Sequence, residues 1–300
     1  MTINKKRKTR QAGVMAWVLF AGLAVYAAIL LCITLWGIGS SLKTIENFNE
    51  DKAGFPSGAP WRWAWNNFTY VFENFFITVT NTSGVKKVWL ENMLVNTLLY
   101  AGGGAFLQAF VPCFVAYLTA KFPYKFSKVV YMIVIVAITL PIVGADPSAI
   151  KLMQDLGLYD TIAGNWIQKF NFLGMYFLVF YATFKGIPND YAEAAYVDGA
   201  SETCVYFKVI FPLVVNTFLT VFLIKFIELW NDYQSPLLYL PSHPTLALGV
   251  YTLTSTTLQG FNNVPVRMAT CVIMVIPVLI LFVAFKDKLL KNVSMGGIKE

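Results

Sequence analysis

Few residues in this chain are of a type that does bond-making chemistry. The one histidine, His243, sits in a polar stretch between Pro241 and Pro244. A single imidazole cannot supply the several ligands of a metal site, so a solvated residue is expected there. The four cysteines, Cys32, Cys113, Cys204 and Cys271, form no C-x-x-C pair. They read as small apolar residues rather than redox or metal ligands. No H-E-x-x-H, G-x-S-x-G or G-x-x-x-x-G-K-[ST] occurs. The sequence therefore offers no catalytic residue, no metal residue and no cofactor to be held by this chain.

Charge placed within apolar sequence is the more informative feature. Lys225 and Glu228 stand three apart in a run that is otherwise apolar, followed by Asn231. On a helix that spacing puts both charges on one face. Charged side chains within an apolar span are costly and usually face an interior cavity. Two readings stand: a polar patch lining a solute path, or an ion pair that steadies the outer end of a helix. Asn96, Gln108 and Thr119 are polar positions in another apolar run, with Gly102, Gly103 and Gly104 between them. The glycines point to close helix packing rather than substrate contact.

The segment 185–212 reads KGIPNDYAEAAYVDGASETCVYFKVIFP. It is too polar to enter lipid and too patterned for a linker. Pro188 can open a helix, and Asn189 and Asp190 place acceptor and negative charge near its start. Ala192, Ala194 and Ala195 are small enough for close approach by another protein. Gly199 permits a sharp turn. A second short helix is expected through Ile210, with Pro212 opening the next apolar run. A short helix, a glycine bend and a second helix at the base of a membrane make a lever that could fit a groove on a cytoplasmic motor.

The elements that position these residues follow from composition. Of 300 residues 57% are hydrophobic and 13% charged, where a soluble domain carries about 25% charged residues. Mean hydropathy is +0.59. The solvent is therefore a bilayer, and the 25 Phe, 15 Tyr and 8 Trp fit lipid-facing surface and interfacial belts. About twenty apolar residues span the hydrocarbon. Six runs qualify: 14–37, 93–119, 128–145, 166–184, 213–231 and 266–285. Run 166–184 is the least regular, because Lys169 and Asn171 sit near its start. The first run is longer than the roughly 7–15-residue core of a signal peptide and has no A-x-A-like site after it, so it reads as a retained helix. The fold class is all-α integral membrane, with a segment 1–13, a six-span body 14–285 and a tail 286–300.

Orientation comes from charge. With the N-terminus inside, segments 1–13, 120–127, 185–212 and 286–300, with Lys128 at a helix end counted among them, hold 14 of the 23 lysines and arginines and 6 of the 16 acids. Positive charge is retained on the cytoplasmic side, so both termini and segment 185–212 are expected there. The net charge of +7 thus reflects topology, not nucleic-acid binding. The outside segments are long. Trp61, Trp63 and Trp65 in segment 38–92 fit either an interfacial belt or contact with an extracellular partner. Residues 146–165 read as an amphipathic helix near the outer surface, and 232–265 as a third outer loop. Pro112, Pro141 and Pro277 are expected to kink their spans.

Glu193-Ala194-Ala195, three residues, Gly199, nine residues, then Val209-Ile210-Phe211-Pro212 resembles the EAA loop of ABC importer permeases. The family ends this pattern I-x-L-P; here Val209 and Phe211 are apolar replacements. Asn96-Thr97, Leu156-Gly157-Leu158 with Thr161, Trp230-Asn231 with Pro236-Leu237, and Met295-Gly296-Gly297-Ile298-Lys299 are similar to the carbohydrate-importer permeases, in particular the maltose-type second, shorter permease.

That resemblance implies a type I ABC importer transmembrane domain in a bacterial cytoplasmic membrane. The partners it implies are a homologous second permease, two ATPase subunits and an extracytoplasmic solute-binding protein that delivers a sugar or oligosaccharide. ATP and Mg would be bound by the ATPases. It also implies roles residue by residue. Glu193 would pair with the ATPase, Ala194 and Ala195 would pack in its groove, and Asp198 and Gly199 would sit at the bend before Pro212. Gly296, Gly297 and Lys299 would reach between the ATPase subunits. The rival reading is an ion-coupled secondary transporter of a small polar solute, which calls for intramembrane acids, broken helices or repeated halves. Glu228 is the one acid well inside a run, and no repeat is visible.

Overall fold

The computed structural model describes residues 14–81, 84–122, 124–140, 144–255 and 261–295. Among the described residues four helices are long and apolar enough to cross a membrane: α1 (Val14–Ser41), α4 (Leu90–Lys121), the run Glu202–Trp230 and the Val264–Phe285 part of α14 (Val264–Met295). The other two expected spans are shorter as helices. α5 (Lys125–Thr139) has 15 residues and α8 (Met175–Lys185) has 11. At 1.5 Å per residue these reach about 22 and 16 Å, short of the roughly 30 Å of hydrocarbon.

Run 166–184 is not one helix. α7 (Ile162–Gln168) ends before Lys169, residues 169–174 are non-helical, and α8 begins after an extended Gly174. The polar residues in the run account for the break. The Asn171 Oδ1 accepts from the Leu173 N–H at 2.8 Å, a local bond that competes with helix continuation. The single helix expected over 146–165 is also two: α6 (Asp146–Asp155) and α7, separated by a turn at Gly157 (φ +68).

Pro212 lies in the first turn of the next helix, as expected, but no gap separates that helix from the short one before it. α10 (Glu202–Cys204), a π-helical turn Val205–Ile210 and α11 (Phe211–Trp230) form one continuous run. Proline lacks an N–H and its ring crowds the carbonyl four residues back. The wide turn just before Pro212, with the Phe211 N–H bonded to Tyr206 O, accommodates that defect. Pro112 and Pro277 likewise lie inside helices, while Pro141 is outside the described residues.

The described residues fall into two compact units. One, within Met1–Val71 and Leu258–Val272, contains α1, α2 (Ile45–Glu50) and most of α3 (Asn66–Asn74). Most of α1 is exposed along its length. At its foot the buried Lys43 donates to Asp51 O at 2.5 Å, and the Asn67 amide donates to Ser41 O and Lys43 O. Trp61 and Trp65 remain exposed beside a 3₁₀ turn Pro60–Arg62.

The other unit, within Phe72–Thr257 and Ile273–Glu300, holds the helical core. α4 presents a buried small-residue face: Ala109, Cys113, Ala116 and Ala120. Phe177, Phe180 and Phe184 of α8 pack into that cluster from one side, and Val205, Tyr206, Ile210 and Val214 from the π turn and α11. In lipid, where burial of apolar surface drives little, such large-into-small contact is what holds helices together. The expectation of an all-α chain omits one element: an antiparallel hairpin, β1 (Phe76–Asn81) with β2 (Gly84–Trp89), in register Phe76↔Trp89 to Asn81↔Gly84. Its outer face pairs the Phe76 and Trp89 rings at 5.1 Å.

Candidate functional site

The expected short helix, glycine bend and second helix are present. α9 (Asp190–Val197) starts after Asn189 and ends in a Schellman motif. The Ala200 N–H reaches back to Ala195 O and the Gly199 N–H to Tyr196 O, both at 3.0 Å, with Gly199 at φ +80. A left-handed residue is required at that place, which is why glycine stands there. Ser201 then caps α10, its hydroxyl accepting from the Cys204 N–H. Glycine and serine thus stop one helix and start the next within three residues.

The faces of α9 are assigned by packing. Ala192, Ala195 and Ala200 turn inward against the chain's own core. Tyr191, Glu193, Ala194, Val197 and Asp198 are exposed, Val197 at 87%. Of the two alanines expected to face a partner, Ala194 is thus placed outward and Ala195 inward. Pro212 is exposed on the continuous helix, two residues past the π segment. Gly296, Gly297 and Lys299 lie outside the described residues.

Lys225, Glu228 and Asn231 meet at a cavity of about 390 Å³, together with Gln108, Lys169 and Asp232. Lys225 Nζ lies 2.6 Å from Glu228 Oε2, and both residues line the cavity. The Lys225 ammonium also stands 4.8 Å above the Tyr176 ring. A second cavity of about 170 Å³ shares Gln108, Lys169 and Lys225 and is closed by the non-helical residues Asn171 to Gly174. The irregular backbone of residues 171–174 thus lines a cavity. Lys169 and Asn171, the residues that make this run irregular, line these cavities, a placement the sequence alone did not reveal.

Asp232, one residue past the end of the apolar run, stands at the rim. Burial alone would raise its pKa. Hydrogen bonds from Ser235 and Tyr100, with Lys169 nearby, outweigh that and hold the carboxyl below its ordinary value.

The other polar and glycine positions have structural work. Thr97 Oγ1 donates to Met93 O and accepts from the Leu246 N–H at 2.8 Å, while the Asn96 amide donates to Pro244 O. Together they fasten α13 (Leu246–Ser255), which follows the short α12 (Gln234–Tyr239), to α4. Thr161 caps α7 through the Gly164 N–H. The Trp230 indole donates to Met274 O. Thr119 bonds its own helix at Val115 O. His243 is half-exposed, with Nδ1 3.5 Å from Asp160 Oδ1. Among the described residues no cluster could hold a metal ion.

A multi-span helical core, a polar cavity beside a broken helix, and an exposed helix–glycine–helix lever define a membrane transport protein. Residues 94–295 match the sequence profile described as the binding-protein-dependent transport system inner membrane component. This covers about two thirds of the chain, which therefore belongs to that family: it is a permease subunit of an ABC importer, a multi-pass inner-membrane protein and not an enzyme. The broken helix by itself would also suit an ion-coupled carrier; membership in this family sets that reading aside.

The melibiose/raffinose/stachyose import permease protein MelC of Bacillus subtilis is 26% identical over 221 residues, 71% of this chain and 78% of that protein. The arabinooligosaccharides transport permease AraQ of Halalkalibacterium halodurans is 24% identical, over 98% of this chain and 99% of that one. A bacterial ABC transporter for import of the acidic polysaccharide alginate has a chain with the same fold: TM-score 0.73 at 20% identity, covering 94% of this chain and 99% of that one.

Proposed function

We propose that this permease forms half of the path for a sugar or oligosaccharide handed over by an extracytoplasmic binding protein. Its partners are a homologous permease, this chain being the shorter of the pair, and two ATPase subunits that bind ATP and Mg. Similar proteins named for the import of melibiose, raffinose and stachyose and of arabinooligosaccharides support that substrate class. The polar cavity of Gln108, Lys169, Lys225, Glu228, Asn231 and Asp232 suits a hydroxyl-rich solute, which needs a donor or acceptor at each turn.

The observation that carries the coupling role is α9 itself. It is a capped helix with an exposed face of Tyr191, Glu193, Ala194, Val197 and Asp198, joined within a few residues to α8 and to the α10–α11 run, whose residues line the cavities. An exposed valine and tyrosine beside two acids suit a groove with an apolar floor and a basic rim. Closure of the ATPases on ATP moves that groove, α9 follows, and the attached helices open the cavity outward. Hydrolysis returns them inward. Ala195 supports the helix from within.

Six crossings complete the path, with both termini cytoplasmic: the four long helices, α5, and a fourth crossing made of α7, the unwound 169–174 and α8. The tail residues Gly296, Gly297 and Lys299 extend toward the ATPases.

The test is purification of the wild-type chain and Glu193→Arg from the native membrane in a gentle detergent, with mass spectrometry of what accompanies each. The wild type is expected to carry an ATPase and a second permease, and the variant to keep the permease and lose the ATPase. A wild-type chain that comes alone and transports without ATP would sink the proposal.

A further inference from the structure

Among the helices that contribute to the cavities, α4, α8 and α11 are not joined to α9 in the same way. α8 leads into it through residues 186–189, and α11 follows from it through Gly199–Ser201 and α10. α4, which contributes Gln108 and Pro112, has no such covalent link, because α5 to α7 intervene. Ala192 and Ala195 pack on the shared core, yet a gap remains beside them. A cavity of about 170 Å³ lies between the end of α4 and α9, lined by Tyr117, Lys121, Asn189, Ala192, Glu193 and Tyr196.

One side chain bridges that cavity. Lys121, the last residue of α4, donates to Ile187 O at 2.5 Å and to Asn189 Oδ1 at 2.9 Å. Among the described residues two hydrogen bonds join α4 to residues 186–200, and Lys121 donates both. Both acceptors lie just ahead of the first turn of α9, so a shift of that helix acts on Lys121 directly. Asn189 occupies the cap position, yet its side chain makes no capping bond and goes to the lysine instead. The bonds are charge-assisted, and a primary ammonium can reach two acceptors on different elements at once.

We propose that Lys121 is the positioning residue that passes movement of α9 to α4. The motion then travels about 20 Å along a helix, thirteen residues at 1.5 Å each, to Gln108 at the cavity. Coupling in this unit thus has two covalent arms, through α8 and α11, and one polar arm. Loss of the polar arm leaves the α4 wall of the cavity unmoved while the other walls respond. The proposal rests on α9 being the ATPase-coupling helix.

Amide hydrogen exchange of the complete transporter in nanodiscs tests it, comparing the nucleotide-free state with Mg-ATP and vanadate. In the wild type, exchange is expected to change both in residues 186–200 and in residues 108–121. In Lys121→Met the response of 186–200 stays and that of 108–121 falls by roughly five-fold or more, the lower end of usual coupling between sites. Lys121→Arg, which keeps the charge and the donors, recovers it. Asn189→Ala, which leaves the Ile187 bond, gives a partial loss and stands in if Lys121→Met does not assemble. An undiminished response of 108–121 in Lys121→Met overturns the proposal. Failure of the underlying reading looks different: Glu193→Arg retains the ATPase and nucleotide leaves 186–200 unchanged even in the wild type.

Discussion

The indole of Trp166 occupies the space into which any side chain on Gly103 would project. A Cβ on Gly103 would overlap the atoms of the Trp166 ring, and the same indole donates to Leu99 O at 3.0 Å. The ring is thus held against α4 by a bond on the turn before the glycine. This contact seats α7 on α4.

Gly103→Ala therefore forces either the indole or the helix to move, at an expected cost of about 1–3 kcal/mol, the usual range for overpacking. Thermal unfolding in detergent should show the loss. Gly102→Ala is the control, because nothing stands within 4 Å of where its methyl would lie, and a helix gains from alanine there. Equal effects of the two substitutions would refute the account.

At the other end of the unit, Gly199→Val places a β-branched residue at φ +80. The left-handed region costs an L-residue about 1–2 kcal/mol, more when it is branched. The Schellman turn loosens, α9 loses its fixed angle to α10, and ATP-driven import should fall while the chain still reaches the membrane. Ala200→Ser, one residue on, keeps the turn and serves as the comparison. A Gly199→Val variant that imports at the wild-type rate would show that the bend does not set coupling.

Lys225 and Glu228 offer a separation of stability from path lining. Glu228 is half open to solvent, so the pair is worth about 0.5–1 kcal/mol at most in a double-mutant cycle of thermal stability. Replacing both residues, Lys225→Met with Glu228→Gln, should restore most of the stability lost in either single variant. Uptake of labelled oligosaccharides should remain low in the double variant, because the cavity has lost its charged wall. Full uptake in the double variant would mean that the pair only steadies α11.

Much of this was legible in the linear sequence because lipid is a strict solvent. Apolar runs such as 14–37 and 93–119 are long helices in the structure because no other conformation satisfies backbone groups in hydrocarbon. The glycine bend was equally plain: Gly199 with Ser201 is a stop and a start spelled in local chemistry, independent of anything distant. The hairpin had a readable signal as well, Ile77 and Val79 alternating with threonines ahead of a polar stretch and Gly84 in the sequence, but it lay in a segment read as an outer loop.

What only the tertiary structure decided are relationships between residues far apart in the chain. No spacing rule tells that Lys169, in a loop, joins Gln108 and Lys225 at one cavity, or that Thr97 receives the Leu246 N–H across 149 positions. The inward turn of Ala195 and the outward turn of Ala194 depend on what α9 rests against, not on their shared identity. Hydropathy sums over a window and so fixes what enters the bilayer. Which helix faces touch, and where a polar residue finds its partner, depends on side-chain volumes meeting across helices, and that information is not local to any stretch of sequence.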